Sequence, residues 1–495
     1  MSADHSTAAT ARSTHYLERF SARKEAIRAA ANRMAEERDD WIDRNRYFHD
    51  QDYSYLRFLI PEGMRVLDLG CGTGQLLSAL KPAYGVGIDI SEKMIEVAKA
   101  KYPDCTFYVG DIEDVNDLRA IEGPFDVIVM SDTLGYLNDC ENTLNSLHAL
   151  CTPETRIVVS YYSHIWEPIL NLGVTLGQRM PTNYLNWLSM DDISHLLSLA
   201  DFEVVKKEWR QLVPKKIFGV GTLINRYVAT LPIIRKLSLR HYLVARPYEV
   251  TAEQFKTPST SVVIPCRNEE GNIEPAVKRL PHFCDDMEII FVEGHSQDGT
   301  WEEIQRVKGA YPNLNIVTLQ QPGKGKGDAV RTAFDAASKD ILMILDADLT
   351  VPPEDLPKFY KAIASGKGEY INGTRLIYPM ENEAMRLLNY WANHTFAHIF
   401  SYLLNQRFSD TLCGTKVLSR QAYAEIKKNR HYFGDFDPFG DFDLIFGASK
   451  LNLKMVEVPI RYDARSYGST QISRFSHGWL LLRMVVFAYR KLKAI

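Results

Sequence analysis

Apolar and polar positions along the chain fall into two successive α/β rhythms. Short, largely apolar runs, VLDL at 66–69, YGVGI at 84–88 and FDVIVM at 125–130, alternate with helix-like stretches up to about residue 210. Runs of this length read as strands covered on both faces, as in a parallel sheet flanked by helices. The rhythm restarts at Ser261 with SVVIP, EIIFVEG and ILMIL and continues to about Ile460. The expected fold class is α/β, with two doubly wound domains in tandem. The first domain is expected over 46–211 and the second over 251–475, with 1–45 as a charged, alanine-rich helical lead-in.

Three segments stand apart from the α/β rhythm. Residues 212–250 form an expected basic amphipathic linker: 212–248 carry Lys215, Lys216, Arg226, Arg235, Lys236, Arg240 and Arg246 and no Asp or Glu, with apolar residues such as Ile217, Phe218 and Ile233 between them. The tail, 476–495, is again apolar and basic, and 387–404 is aromatic. Such stretches suit the surface of a membrane, where two weak anchors together hold what one does not. Packing between domains or in a dimer is the rival expectation.

Composition narrows the picture. At 495 residues the chain is too long for one core. A net charge of −4 argues against a nucleic-acid partner. Seven cysteines, an odd number without CxxC spacing, read as reduced thiols. No run of about 18 apolar residues appears, so the expected location is cytoplasmic, peripheral on the cytosolic face of a membrane.

The first rhythm carries DLGCGTG at 68–74, GIDIS at 87–91 and GDIED at 110–114. Gly70, Gly72 and Gly74 allow the backbone to approach a ligand closely. Their register is not GxGxxG, since Gln75 and Leu77 stand where the third small residue would be. Asp68 before the turn would repel a pyrophosphate but suits a cationic, amine-bearing ligand. Asp89 ends the next strand, placed for two ribose hydroxyls, and Asp111 is a candidate for an adenine amine. With FDVIVMSD, this series resembles the class I S-adenosylmethionine-dependent methyltransferases, which have a Rossmann-like fold, over roughly 50–210. The resemblance implies that Asp68, Gly70, Gly72 and Gly74 bind the donor's amino-acid part, Asp89 its ribose and Asp111 its adenine. For the methyl acceptor, Tyr47, His49, Tyr161, Tyr162 and His164 are candidates, each equally readable as a packed aromatic or structural histidine.

The second rhythm carries VVIPCRNEEGNI, FVEGHSQDGT, GKGKGDA and LDADLT at 345–350. Asp346 and Asp348, at i and i+2 where a strand ends, can converge on Mg²⁺ or Mn²⁺ and so act on diphosphate oxygens. No GxxxxGK[ST] P-loop occurs. With NGTRL, DTLCGTKVL and VPIRYDARSYGSTQIS, the series resembles family 2 glycosyltransferases of the GT-A fold over about 258–475, in particular the polyprenyl-phosphate (dolichyl-phosphate type) mannosyl- and glucosyltransferases. The resemblance implies that Pro265, Arg267, Glu269 and Glu293 hold base and ribose and that Lys326 lies near the ribose or phosphates. Asp346 and Asp348 would hold the metal, and Arg375 and Arg465 would meet phosphates. Three residues depart from the family pattern: Glu293 stands for a more usual Asp, Thr350 for a metal-binding Gln, and Gln471 for a Lys. The expected function is bifunctional: methyl transfer, and inverting transfer from a nucleotide-diphosphate sugar to a polyprenyl phosphate or glycolipid. The alternative is a soluble or glycan hydroxyl acceptor, which would need a base; Asp410 is the candidate, with the loop 434–443 second. In that case the first domain would modify the same product or serve only as a binding module.

Overall fold

The computed structural model describes residues 22–181, 185–248, 257–375, 387–433, 442–460 and 474–495. The chain divides into two compact units near residue 250, each built on a mixed seven-stranded sheet.

In the first unit the strands are β1 (Arg65–Leu69), β2 (Tyr84–Asp89), β3 (Thr106–Val109), β4 (Val127–Ser131), β5 (Arg156–Tyr162), β6 (Phe202–Arg210) and β7 (Arg240–Pro247). Their order is β3-β2-β1-β4-β5-β7-β6. β1 to β5 pair in parallel, whereas β7 runs antiparallel to both β5 and β6. The largely apolar runs are the central strands: Leu67, Val86, Ile128, Met130 and Ile157 lie at the heart of one buried cluster. The order reverses at β1, so the ends of β1 and β4 splay apart there and open a crevice.

The expected boundary at 211 and the linker reading of 212–250 are corrected by β7. Residues 240–247 form an interior strand of this sheet, not a connector. Two of the seven cations are therefore buried and paired: Arg240 with Asp52 and Asp132, and Arg246 with Glu203. The preceding segment, 217–237, is a string of short helical turns that returns the chain from β6 to β7.

In the second unit the strands are β8 (Thr260–Cys266), β9 (Met287–Glu293), β10 (Asn315–Gln320), β11 (Ile341–Ile344), β12 (Tyr370–Thr374), β13 (Lys416–Ser419) and β14 (Met455–Pro459). They are ordered β10-β9-β8-β11-β13-β12-β14, with β13 antiparallel to both neighbours. Val262, Ile264, Phe291, Met343 and Leu345 centre its core. The aromatic stretch forms the helix Leu387–Leu404, and its Phe400, Leu403 and Leu404 are buried. Among the described residues no helix is long and apolar enough to cross a membrane.

Candidate functional site

In the first unit a cavity of about 450 Å³ lies over the carboxyl ends of β1, β2 and β4. Gly70, Gly72 and Gly74 all have positive φ, 78°, 53° and 77°, which only glycine adopts without strain. A β-carbon on Gly70 would lie 2.6 Å from Thr133 Oγ1, and one on Gly72 2.9 Å from Arg38 Nε. Asp68 is buried at the end of β1. Its carboxyl is pushed up to about 7 by burial, with Asp89 adding to the shift and Arg38 opposing it. Asp89 lines the cavity, and its two oxygens accept from the backbone N–H groups of Gly72 and Ser91, each at 2.9 Å. Asp111 also lines it and is engaged by the Lys24 ammonium, which reaches Glu113 at 3.1 Å as well.

Lys24 and Arg38 belong to the segment expected to be a mere lead-in. Its described part, 22–45, instead walls the cavity: Thr73 Oγ1 donates to Asp39 at 2.8 Å, and the Arg38 side chain sits against Gly72. The buried Arg38 Nε has no hydrogen-bond partner among the described residues. A zwitterionic amino acid fits this end. Asp68, buried just behind the turn, suits its ammonium, Arg38 suits its carboxylate, and the glycine turn keeps the floor clear of side chains.

The other end of the cavity holds residues that sequence reasoning missed. Arg240, fully buried, donates from Nε and Nη2 to Asp52 at 3.1 and 3.2 Å, from Nη2 to Ser160 at 3.0 Å, and from Nη1 to Asp132. Its guanidinium lies 4.7 Å from the centre of the Tyr162 ring. Tyr242 also donates to Asp52. One arginine thus serves two carboxylates, and Asp132, half-buried on the cavity wall, is the less completely paired of them. Burial raises its carboxyl, while Arg240 opposes the rise. Asp132 follows β4 with φ 58°, a conformation that Asp tolerates better than most residues.

Of the acceptor candidates, His49 and Tyr162 line the cavity. Burial pushes His49 down to about 4, so its imidazole is neutral near pH 7. Tyr161 is buried with its hydroxyl on the Asn186 carbonyl, Tyr47 accepts from Asn225, and His164 is exposed.

In the second unit the candidate residues gather at the carboxyl ends of β8, β9 and β11. Register pairs Cys266, the neighbour of Pro265, with Glu293. Glu293 is buried and accepts from the Ser296 N–H and from Gln320 at 3.3 Å. Arg267 is exposed, and Glu269 accepts from Asn272 at 2.6 Å. Just past β11, Asp346 receives the Lys326 ammonium at 2.7 Å. Burial would raise the Asp346 carboxyl, but Lys326, with Lys416 and Arg375, holds it below the ordinary range. A β-carbon on Gly414 would lie 1.7 Å from Asp346 Oδ2, so only glycine leaves room for this carboxylate. Asp348 accepts from the Thr350 N–H at 3.1 Å and its hydroxyl at 2.8 Å. Thr350 therefore orients Asp348 rather than standing as a third ligand. Among the described residues no cluster of three or more metal-binding side chains occurs.

Arg375 and Asp410 form a two-pronged pair at 2.7 and 2.8 Å, and Asp410 also accepts from the backbone N–H groups of Arg375, Leu412 and Cys413. Burial acts to raise the Asp410 carboxyl, but Arg375 and these amides hold it below the usual range. A carboxylate so fully engaged positions Arg375 and is a poor proton acceptor, which removes the basis for the expected base role. Arg465 and most of the loop 434–443 lie outside the described residues.

The model of the methyltransferase domain family matches residues 60–201, and that of glycosyl transferase family 2 matches 261–427. The chain joins a methyltransferase domain to a family 2 glycosyltransferase domain. The positive-φ glycine turn lies within the first match and the Asp346–Asp348 strand end within the second, while β7 completes the sheet that the first match begins. A low-salt glycan biosynthesis hexosyltransferase of Haloferax volcanii is 28% identical over 244 residues, covering 48% of this chain and 55% of the relative. A dolichol-phosphate mannosyltransferase of Pyrococcus furiosus is 35% identical over 123 residues, 23% of this chain and 34% of the relative. A dolichyl-phosphate hexose transferase, also from Haloferax volcanii, is 28% identical over 234 residues, 47% of this chain and 95% of the relative. The first two matches thus span from a third to just over half of those relatives' own lengths.

Proposed function

We propose that the chain is a bifunctional transferase. Its methyltransferase domain takes a methyl group from S-adenosylmethionine. Its glycosyltransferase domain moves a sugar from a nucleotide diphosphate to a polyprenyl phosphate with inversion, on the cytosolic face of a membrane that it binds peripherally. The observation that carries the second activity is the surround of Asp346: a carboxylate lodged against a glycine, facing Lys326 and within the field of Lys416 and Arg375. The three cations around Asp346 fit a diphosphate beside it, and they keep the carboxylate ionised, the form that a metal needs. Asp346 and Asp348 would hold Mg²⁺ or Mn²⁺, which when bound supplies positive charge against the departing diphosphate.

The chain's own residues supply the rest. Lys326 and the forked guanidinium of Arg375 offer complementary charge to phosphate oxygens. Asp410 and three backbone amides fix that fork in place. A hydroxyl acceptor would need a base, and Asp410 is not free to serve. A phosphate monoester, with a second pKa of roughly 6, is anionic near neutral pH and needs none. The names of two relatives, both dolichol- or dolichyl-phosphate sugar transferases, support the same acceptor class.

The test is nucleotide-sugar turnover by the full chain with Mn²⁺, with and without a short polyprenyl phosphate. Turnover should depend on the lipid phosphate and fall by about 10²–10³ in the Asp346→Ala, Asp348→Ala double variant. Unchanged turnover in that variant would refute the metal assignment, and equal turnover on a soluble hydroxyl acceptor would refute the lipid-phosphate assignment. Calorimetric titration with S-adenosylmethionine tests the first activity.

A further inference from the structure

The methyl acceptor is unassigned, and the cavity's outer half bears on it. The cavity runs from Gly70, Gly72 and Asp89 past Asp132 to Trp166, Ile169 and Leu170. Its mouth is framed by two segments, 163–178 and 214–239, which are tied together: the Trp166 indole N–H donates to the Leu237 carbonyl at 2.8 Å, and the Ser163 N–H to that of Leu239 at 2.8 Å. Outside this mouth both segments turn large apolar side chains to solvent. Ile165, Leu172 and Leu176 are exposed on one, and Phe218 and Ile233 on the other, the last at 85% of full exposure. Ile217 and Phe218 have φ of 42° and 53°. Left-handed backbone is costly for a β-branched or bulky residue and persists at sites of function. An apolar patch of this kind marks a binding surface. Its charges indicate the partner. Lys215, Lys216, Arg226 and Lys236 are exposed around it, no acid occurs over 212–248, and Glu167 is the one acid over 163–178. Exposed apolar residues interspersed with cations along one segment fit an anionic lipid bilayer.

At the inner end of the same half-cavity stands Asp132. Arg240 is shared between it and Asp52, Arg179 adds its positive charge from the cavity wall, and the half-buried Asp132 carboxylate faces the cavity. A hydroxyl is a weak nucleophile unless its proton is removed as the new bond forms.

We propose that the methyl acceptor is a hydroxyl borne on a membrane lipid. Its head group lies beside Asp132, and its chain leaves the mouth onto an anionic bilayer carrying Phe218 and Ile233. The step balances. The acceptor oxygen forms a bond to the methyl carbon while the S–CH₃ bond breaks. The electron pair of that bond returns to sulfur, leaving the neutral thioether, and the hydroxyl proton passes to the Asp132 carboxylate. This rests on the methyl-transfer reading of the domain, not on the sugar-transfer reading.

The experiment uses the full chain, methyl-labelled S-adenosylmethionine, and the lipid extract of the producing cells dispersed in phosphatidylglycerol–phosphatidylcholine vesicles, with the aqueous extract in parallel. The protein should sediment with the vesicles, and label should enter a chloroform-soluble product that survives mild alkali, as a methyl ether does. Asp132→Asn should lower labelling by about 100-fold at unchanged donor affinity. Phe218→Glu with Ile233→Glu should lower sedimentation by about tenfold, again at unchanged donor affinity. Label that is water-soluble, alkali-labile or absent overturns the proposal, as does full labelling by Asp132→Asn or unchanged sedimentation of the double variant. Failure to bind S-adenosylmethionine at all would overturn the methyl-transfer reading with it.

Discussion

Replacing Arg240 by Met tests the buried network most directly. Arg240 is fully buried and makes hydrogen bonds to two carboxylates and the Ser160 hydroxyl. Methionine fills much of the volume but removes the cation that Asp52 and Asp132 share. Breaking one partner of a buried ion pair costs about 3–5 kcal/mol, because an uncompensated charge remains. For a unit of this size a kcal/mol moves the midpoint by about 2–4 °C, so the expected drop is about 6–20 °C. The sign with pH follows from Asp132. Burial already raises its folded-state carboxyl, and loss of Arg240 raises it further. The folded state then holds a proton that the unfolded chain has released, so unfolding free energy falls as pH rises above the unfolded value of about 3.9. The deficit should be small near pH 5 and largest near pH 8. Differential scanning calorimetry of the full chain measures it, the relevant transition being the one that S-adenosylmethionine shifts upward. A drop below about 2 °C, or one equal at pH 5 and pH 8, would refute the reasoning.

Three further outcomes are expected. Gly414→Ala puts a methyl group where Asp346 Oδ2 lies 1.7 Å away; displacing that carboxylate should cut sugar transfer by about 10²–10³ and leave methyl transfer unchanged, as paired assays on one preparation would reveal. Donor affinity should weaken by about tenfold per pH unit below 7, because burial pushes the Asp68 carboxyl up to about 7 and only its anion attracts the donor's ammonium; titration calorimetry from pH 5.5 to 8 checks this, and a flat profile contradicts it. Arg375→Lys loses the two-pronged contact with Asp410 and should lower kcat/KM for polyprenyl phosphate by about 10–100-fold with little change in nucleotide affinity, since an ammonium cannot reproduce the fork.

The sequence made legible what depends on contiguous residues. DLGCGTG needs three glycines within five positions because three successive backbone turns take positive φ, and a reader can see that spacing. LDADLT is legible for the same reason, a carboxylate pair at the end of an apolar strand. The Asp52–Arg240–Asp132 group was not, since its members are separated by 188 and 108 positions and each alone is an ordinary charged residue. Strand β7 was misread for a related reason. RHYLVAR looks like a basic surface stretch until Asp52, Asp132 and Glu203 are known to neutralise its two arginines. Lys24 and Arg38 were hidden in a charged helical pattern whose solvated and cavity-facing sides carry the same residue types.

The position of β7 has a consequence for biosynthesis and for protein engineering. The strand that separates β5 from β6 is the last of its sheet to leave the ribosome, about thirty residues after β6 is complete. Until then β5 has an open edge and β6 lacks the strand it pairs with, and that gap in the sheet is a template for pairing with another nascent chain. A fragment ended at residue 211 would carry that gap permanently and should be recovered as aggregate, whereas one carried through residue 248 can close it.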